Sequence, residues 1–319
     1  MTWQVVYEDQ NLEVYFHDSP SDFLLVAFNP AGAPLPGMSA KDGRVWGAPV
    51  VAKLNCGGLG FMSKAANWFP AESVDKALEA CAEQRAKFKK VVTYGCSMGA
   101  YGALKHAKRI GATFTVAFSP QNPTRRANTR NTIEARNPKA YFGLDLSPDD
   151  LAGRSFIFHD PLETIDKGTV QDLLKADAQG LVVIETHATT HTSVQPFAST
   201  GMIEPVFRAC IADDPKQLWK IWAFARRNNR MRPAAVAVQA TAKHPAVAEK
   251  IFKKYRHVFN PEVAGEFMMQ LVQGWAKKLD YEKANQTLEE AGKMIGAHPR
   301  LNNMYYEMRS LLAPHIKKT

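Results

Sequence analysis

Ser97 stands between two glycines in Gly95-Cys96-Ser97-Met98-Gly99, and a serine so placed can act as a nucleophile if the chain turns sharply at it. Upstream, Val91-Val92-Thr93-Tyr94 reads as a strand; downstream, Ala100-Tyr101-Gly102-Ala103-Leu104 reads as a helix. The pattern G-x-S-x-G arises by chance in roughly one chain of this size in ten, so the strand-to-helix context carries the argument. At such a corner the residues two before and two after the serine must be small for the flanking backbones to pass, and Gly95 and Gly99 meet that need. The corner lifts the Ser97 hydroxyl above the sheet, where the Met98 amide at the helix start can donate to a developing oxyanion.

A serine hydroxyl is a poor nucleophile without a base and an acid that orients the base. Behind this kind of corner both follow the serine in the chain, at the ends of later strands. The apolar run Ser155-Phe156-Ile157-Phe158 leads through His159 to Asp160-Pro161, so Asp160 is the expected acid, with Asp166 and Asp145 as substitutes. An aspartate before proline also begins ordinary turns, and that reading stands beside the catalytic one. The run Leu181–Thr186 leads into His187-Ala188-Thr189-Thr190-His191. His191 is the expected base, because His187 abuts the strand and has little reach. A second oxyanion donor is expected from Phe28 or Asn29, in the loop Phe28-Asn29-Pro30-Ala31-Gly32, since Pro30 has no N–H. His187 and His191 are spaced as metal ligands on a helix would be. No glutamate follows the first histidine and no third ligand is evident, so neither metal nor cofactor is expected.

The elements that must position these groups alternate. Expected strands are Trp3–Tyr7, Leu12–Phe16, Phe23–Phe28, Val50–Leu54, Lys90–Tyr94, Thr113–Phe118, Ser155–Phe158 and Leu181–Thr186, with helices at Ala71–Phe88, Gly99–Arg109 and Thr169–Ala178. The first two strands are close enough for an antiparallel hairpin, and the rest need crossovers. That describes an α/β fold with a mostly parallel eight-stranded sheet flanked by helices. Between Pro120 and Asp150 the chain reads as a long insertion carrying Arg125, Arg126, Arg130 and Arg136, a possible rim for an anionic substrate. The division expected is a catalytic domain over 1–210 and an all-α appendage over 211–319. In the appendage Met268, Leu271, Val272, Trp275, Ala284, Leu288 and Ala291 fit one tetratricopeptide-like hairpin, followed by Pro299.

Composition narrows the class. The 319 residues are 45% hydrophobic and 22% charged, which suits a globular chain with a large core. No apolar run is long enough for a membrane-spanning helix, and the start of the chain lacks a secretory pattern. Four scattered cysteines, Cys56, Cys81, Cys96 and Cys210, read as reduced thiols of a cytoplasmic protein. The net charge of +9 is unevenly spread: residues 1–204 carry 20 Lys and Arg against 21 Asp and Glu, whereas 205–319 carry 20 against 10. The basic helices are either a solvated surface or a site for a polyanion or protein partner. No nucleic-acid motif accompanies them.

These residues resemble the α/β-hydrolase superfamily over about 1–210. More narrowly, Tyr94-Gly95-Cys96-Ser97-Met98-Gly99-Ala100-Tyr101 is similar to the elbow of a group of bacterial α/β-hydrolase-like proteins. That group shares an Asn-Trp-aromatic stretch, here Asn67-Trp68-Phe69, a Ser119-Pro120-Gln121 after the following strand, and the Asp160-Pro161 pair. The resemblance implies His191 as the base, with Phe197 and Gly201 following at the matching spacing; Cys96 and Ala100 stand where Ser and Gly are usual. Some members resemble proteins linked to surface glycans and their O-acylation.

The leading expectation is a serine hydrolase cleaving a small-molecule or glycan ester through an acyl-enzyme. The alternatives are an O-acyltransferase acting on a sugar hydroxyl, and a binding or scaffold protein that works through its basic helices.

Overall fold

The computed structural model describes residues 1–31, 45–129, 132, 134–176, 180–295 and 299–316. Gly32, Arg130 and the end of the helix expected to reach Ala178 lie outside them. The chain divides into two compact units, Met1–Asn228 and Asn229–Thr319.

The first unit is built on one eight-stranded sheet: β1 (Gln4–Glu8), β2 (Leu12–His17), β3 (Phe23–Phe28), β4 (Gly57–Ser63), β5 (Lys90–Cys96), β6 (Phe114–Phe118), β7 (Arg154–His159) and β8 (Leu181–Glu185). Its order is β1-β2-β4-β3-β5-β6-β7-β8. β2 runs antiparallel to both β1 and β4, and every other pair is parallel. This is the α/β-hydrolase arrangement. Around the sheet lie α1 (Ala48–Leu54), α2 (Ala71–Ala80), α3 (Ala82–Ala86), α4 (Met98–Lys105), α5 (Ala107–Ile110), α6 (Pro123–Ala127), α7 (Thr164–Lys175), α8 (Gln195–Ser199), α9 (Ile203–Ile211) and α10 (Pro215–Asn228).

Alternation along β3 distributes the core over the two faces. Leu24, Val26 and Phe28 pack with Val74 of α2 and Tyr101 and Leu104 of α4, while Phe23, Leu25 and Ala27 pack with Val206 of α9 and Trp222 of α10. The strand is buried on both sides, as a central strand of a helix-covered sheet must be.

One expected strand is wrong. Val50–Leu54 is helical, within α1, and the strand between β2 and β3 is the glycine-rich Gly57–Ser63. Strand propensity misses this segment because its glycines answer to neighbours far away in sequence. A Cβ on Gly57 would lie 2.3 Å from the Phe88 ring, and one on Gly60 would lie 2.1 Å from the Val45 side chain.

The second unit contains α11 (Arg232–Ala240), α12 (Pro245–Lys254), α13 (Pro261–Lys277), α14 (Tyr281–Ile295) and α15 (Pro299–Leu312). α13 begins at Asn260, whose side chain accepts from the Val263 amide at 2.8 Å. Met268, Leu271 and Val272 share a buried cluster with Ala284, Leu288 and Ala291 of α14. The boundary after Asn228 lies beyond the expected 210/211 division for a packing reason: Leu218, Ile221, Trp222 and Ala225 of α10 are buried in the core of the sheet unit. Among the described residues no helix is long and apolar enough to cross a membrane. All four cysteines are buried and unbridged.

Candidate active site

Ser97 occupies the corner between β5 and α4 with φ 57° and ψ −125°, a conformation few side chains tolerate. The tightness of the corner accounts for its glycines. A Cβ on Gly95 would meet the Gly99 carbonyl at 2.1 Å, and one on Gly99 would meet the Phe28 carbonyl oxygen at 2.2 Å. The Ser97 amide donates to the Phe118 carbonyl at 2.9 Å, which ties the corner to β6.

His191 Nε2 lies 2.7 Å from Ser97 Oγ, so the histidine chosen from the sequence reaches the serine. His187, half-exposed, faces Glu185 at 3.4 Å. The imidazole's other nitrogen, Nδ1, lies 2.9 and 3.0 Å from the two carboxylate oxygens of Asp166. Asp160, the acid expected from the sequence, is held by backbone amides. Its Oδ2 accepts from the Thr189 and Thr190 amides at 2.8 and 2.9 Å, and its Oδ1 accepts from the Leu162 amide at 3.0 Å. Asp160 therefore shapes the loop that carries His191, a loop in which Ala188 and Thr190 both adopt positive φ. Asp166 instead rises from the first turn of α7, where the helix amino terminus favours a carboxylate. Both acids are fully buried. Asp145, the other substitute, accepts from the Thr124 amide at 3.2 Å.

The end of β6 braces the same loop. Ser119, at φ 50°, places its Oγ 2.7 Å from Ser193 Oγ, and Ser193 Oγ donates to the Phe158 carbonyl at 3.0 Å. Two residues on, Gln121 Nε2 donates to Asp166 Oδ1 at 2.6 Å and its Oε1 accepts from Arg126 at 2.8 Å. In the sequence Gln121 stands out only within the Ser119-Pro120-Gln121 stretch. Its proximity to Asp166 depends on the β6–β7 pairing, which no local pattern reveals.

The surroundings are acidic. Burial pushes the Glu163 carboxyl up, with Asp166 and Asp160 adding to the effect and His191 opposing it. Burial pushes His159 down against the pull of Glu185, Asp166 and Asp160. Burial and then Asp166 push the Cys96 thiol up to about 12, so it stays a neutral packing residue beside the serine.

Of the expected oxyanion donors, Met98 is the first residue of α4, where an N–H has no acceptor within the helix. The Asn29 amide is committed to the Phe61 carbonyl at 3.2 Å, and its side chain accepts from the Ser63 amide at 2.7 Å. Asn29 thus braces β3 against β4. Phe28 is paired with Phe61 and Gly95 on either side of β3, so its backbone belongs to the sheet ladder. Of the expected arginine rim, Arg125 is held bidentately by Asp172 at 2.6 and 2.7 Å, and Arg126 lies 3.0 Å from Glu134. Arg136 remains exposed. Among the described residues no group of three metal-ligating side chains occurs.

No family model and no curated protein sequence matches the chain. Solved structures do. A chain of the Glycosylation Associate Protein (Gap123) complex from Streptococcus agalactiae is similar at TM-score 0.50 and 13% identity, over 66% of this chain and 46% of that one. The present chain therefore spans less than half of that relative. An esterase from Pyrococcus furiosus matches at TM-score 0.42 and 14% identity, covering 69% of this chain and 92% of the esterase. The esterase LipW from Mycobacterium marinum matches at 0.44 and 15%, over 68% and 82%. At these identities the likeness concerns the fold.

Proposed function

We propose that the chain is a serine hydrolase that cleaves an ester through an acyl-enzyme, with Ser97 as nucleophile, His191 as base and Asp166 as the orienting acid. The observation that carries this reading is the continuous hydrogen-bonded line from Ser97 Oγ through both imidazole nitrogens to a buried carboxylate, at a strained strand-to-helix corner. As Ser97 Oγ attacks the ester carbonyl, His191 Nε2 takes its proton and Asp166 stabilises the resulting imidazolium. The Met98 N–H donates to the oxyanion. His191 then returns the proton to the departing alcohol, and water, activated by the same imidazole, releases the acid and frees Ser97.

Transfer of the acyl group to a sugar hydroxyl uses the same intermediate and differs only in the acceptor. The His191 side chain is 33% exposed, which gives water access to the acyl-enzyme and favours hydrolysis. A fluorophosphonate probe and short p-nitrophenyl esters test the reading. The expected outcome is labelling and turnover by the wild type, with both lost in Ser97→Ala. A wild type that neither reacts with the probe nor turns over the esters contradicts it. Adding sugar acceptors to the ester assay separates the two readings: an increased rate with an O-acylated product favours transfer.

A further inference from the structure

Behind the acid lies a second line of polar contacts. Gln121 is buried, its Nε2 2.6 Å from Asp166 Oδ1 and its Oε1 2.8 Å from Arg126 Nη1. Arg126 in turn lies 3.0 Å from the carboxylate of buried Glu134. A side-chain amide can be turned end for end, yet here both ends are determined. The guanidinium has only donors and requires the oxygen; the carboxylate has only acceptors and requires the nitrogen. Gln121 Nε2 also lies 3.1 Å from His191 Nδ1. Two N–H groups thus converge on one carboxylate, which suits a proton on Nδ1 and leaves the Nε2 lone pair toward Ser97.

We propose that Gln121 is a positioning residue for the triad, its amide holding Asp166 in place and transmitting the charge of Arg126 to it. The proposal rests on the serine-hydrolase reading and extends it. Aligned in this way the amide dipole continues the field of the cation toward the acid, and Glu134 at the far end moderates that field. Other ionisable groups face the cluster: Asp160 and Glu163 from the β7–α7 connection, His159 at the end of β7 and the Cys96 thiol from β5. They contribute equally in variants that leave them untouched.

The signs of the effects follow from charge. An imidazolium cannot take the serine proton, so reactivity falls on the acid side of the pH profile. Loss of the Arg126 cation makes the surroundings more negative and favours the imidazolium, moving that acid limb to higher pH. Loss of the Glu134 charge moves it to lower pH. A purely structural role produces no such opposition.

The test uses the full chain and the pH dependence of fluorophosphonate labelling, with thermal unfolding measured beside it. Gln121→Met is expected to lower the labelling rate by roughly ten- to a hundredfold while the protein remains folded. Arg126→Met and Glu134→Gln are expected to shift the acid limb upward and downward. If Arg126→Met does not fold, the other two variants decide. A Gln121→Met protein as reactive as wild type, or unshifted acid limbs in the folded charge variants, overturns the proposal alone. A wild type that is not labelled at all overturns the serine-hydrolase reading, and this proposal falls with it.

Discussion

Asp160 and Asp166 lie six residues apart and are equally buried, yet they receive different donors. One receives three backbone amides and the other receives an imidazole and a side-chain amide. Asp166→Asn should therefore reduce fluorophosphonate labelling and ester turnover by roughly 10³–10⁴-fold, because an amide stabilises neither the tautomer nor the imidazolium. Asp160→Asn should act chiefly on stability. One of its faces can no longer accept, and stranding one or two buried amides costs about 2–4 kcal/mol, measurable by denaturant unfolding. The reverse ranking, with Asp160→Asn the more damaging to labelling in a folded protein, would favour Asp160 as the acid.

At the scale of elements, the corner and the helix behind it act as one unit. Gly99→Ala drives a methyl group into the Phe28 carbonyl of β3, so a loss of about 3 kcal/mol or more is expected in urea unfolding. His106, at the end of α4, lies 3.0 Å from the Phe69 carbonyl and donates to it through Nε2. That contact clamps the Trp68-Phe69 turn, where both residues have positive φ. Burial lowers the His106 pKa from 6.5 to about 4. The unfolded chain consequently binds a proton between those values that the folded chain resists. Stability is fully present above about pH 6.5, falls as pH drops toward 4 and levels off below it, a change of about 3 kcal/mol from this group. His106→Gln, which keeps a donor for the carbonyl and cannot titrate, should flatten that part of the stability profile. An unchanged slope would assign the dependence to other groups.

For the whole molecule, the division after Asn228 has a direct consequence. Residues 1–228 retain α10 and should fold and label with the probe. A chain cut at Cys210 loses Leu218, Ile221, Trp222 and Ala225 from the core of the sheet. Burying Leu218, Ile221 and Trp222 is worth about 1.5–3 kcal/mol each, and such a loss is comparable to the whole stability of an ordinary domain. Circular dichroism and labelling of the two truncations check this, and equal behaviour would place α10 outside the folding unit. The basic excess follows the division as well: residues 229–319 carry 15 Lys and Arg against 8 Asp and Glu. If those helices serve a polyanion, heparin retention should follow residues 229–319 and weaken with salt; retention carried by 1–228 would argue against it.

Sequence alone pointed to the corner at Ser97, to His191 as the residue that reaches it, to most of the strands and to the place where charge accumulates. Each is a local matter, written in steric demand, in alternation along a strand or in a count of residues. Tertiary structure separated the two aspartates, because Asp160 and Asp166 look alike until the loop amides and the imidazole claim them. It decided the fourth strand, whose glycines make room for Phe88 and Val45. It also brought Gln121, Arg126 and Glu134 to the back of Asp166, since residues from the segment after β6 and from α7 meet only when the sheet is assembled.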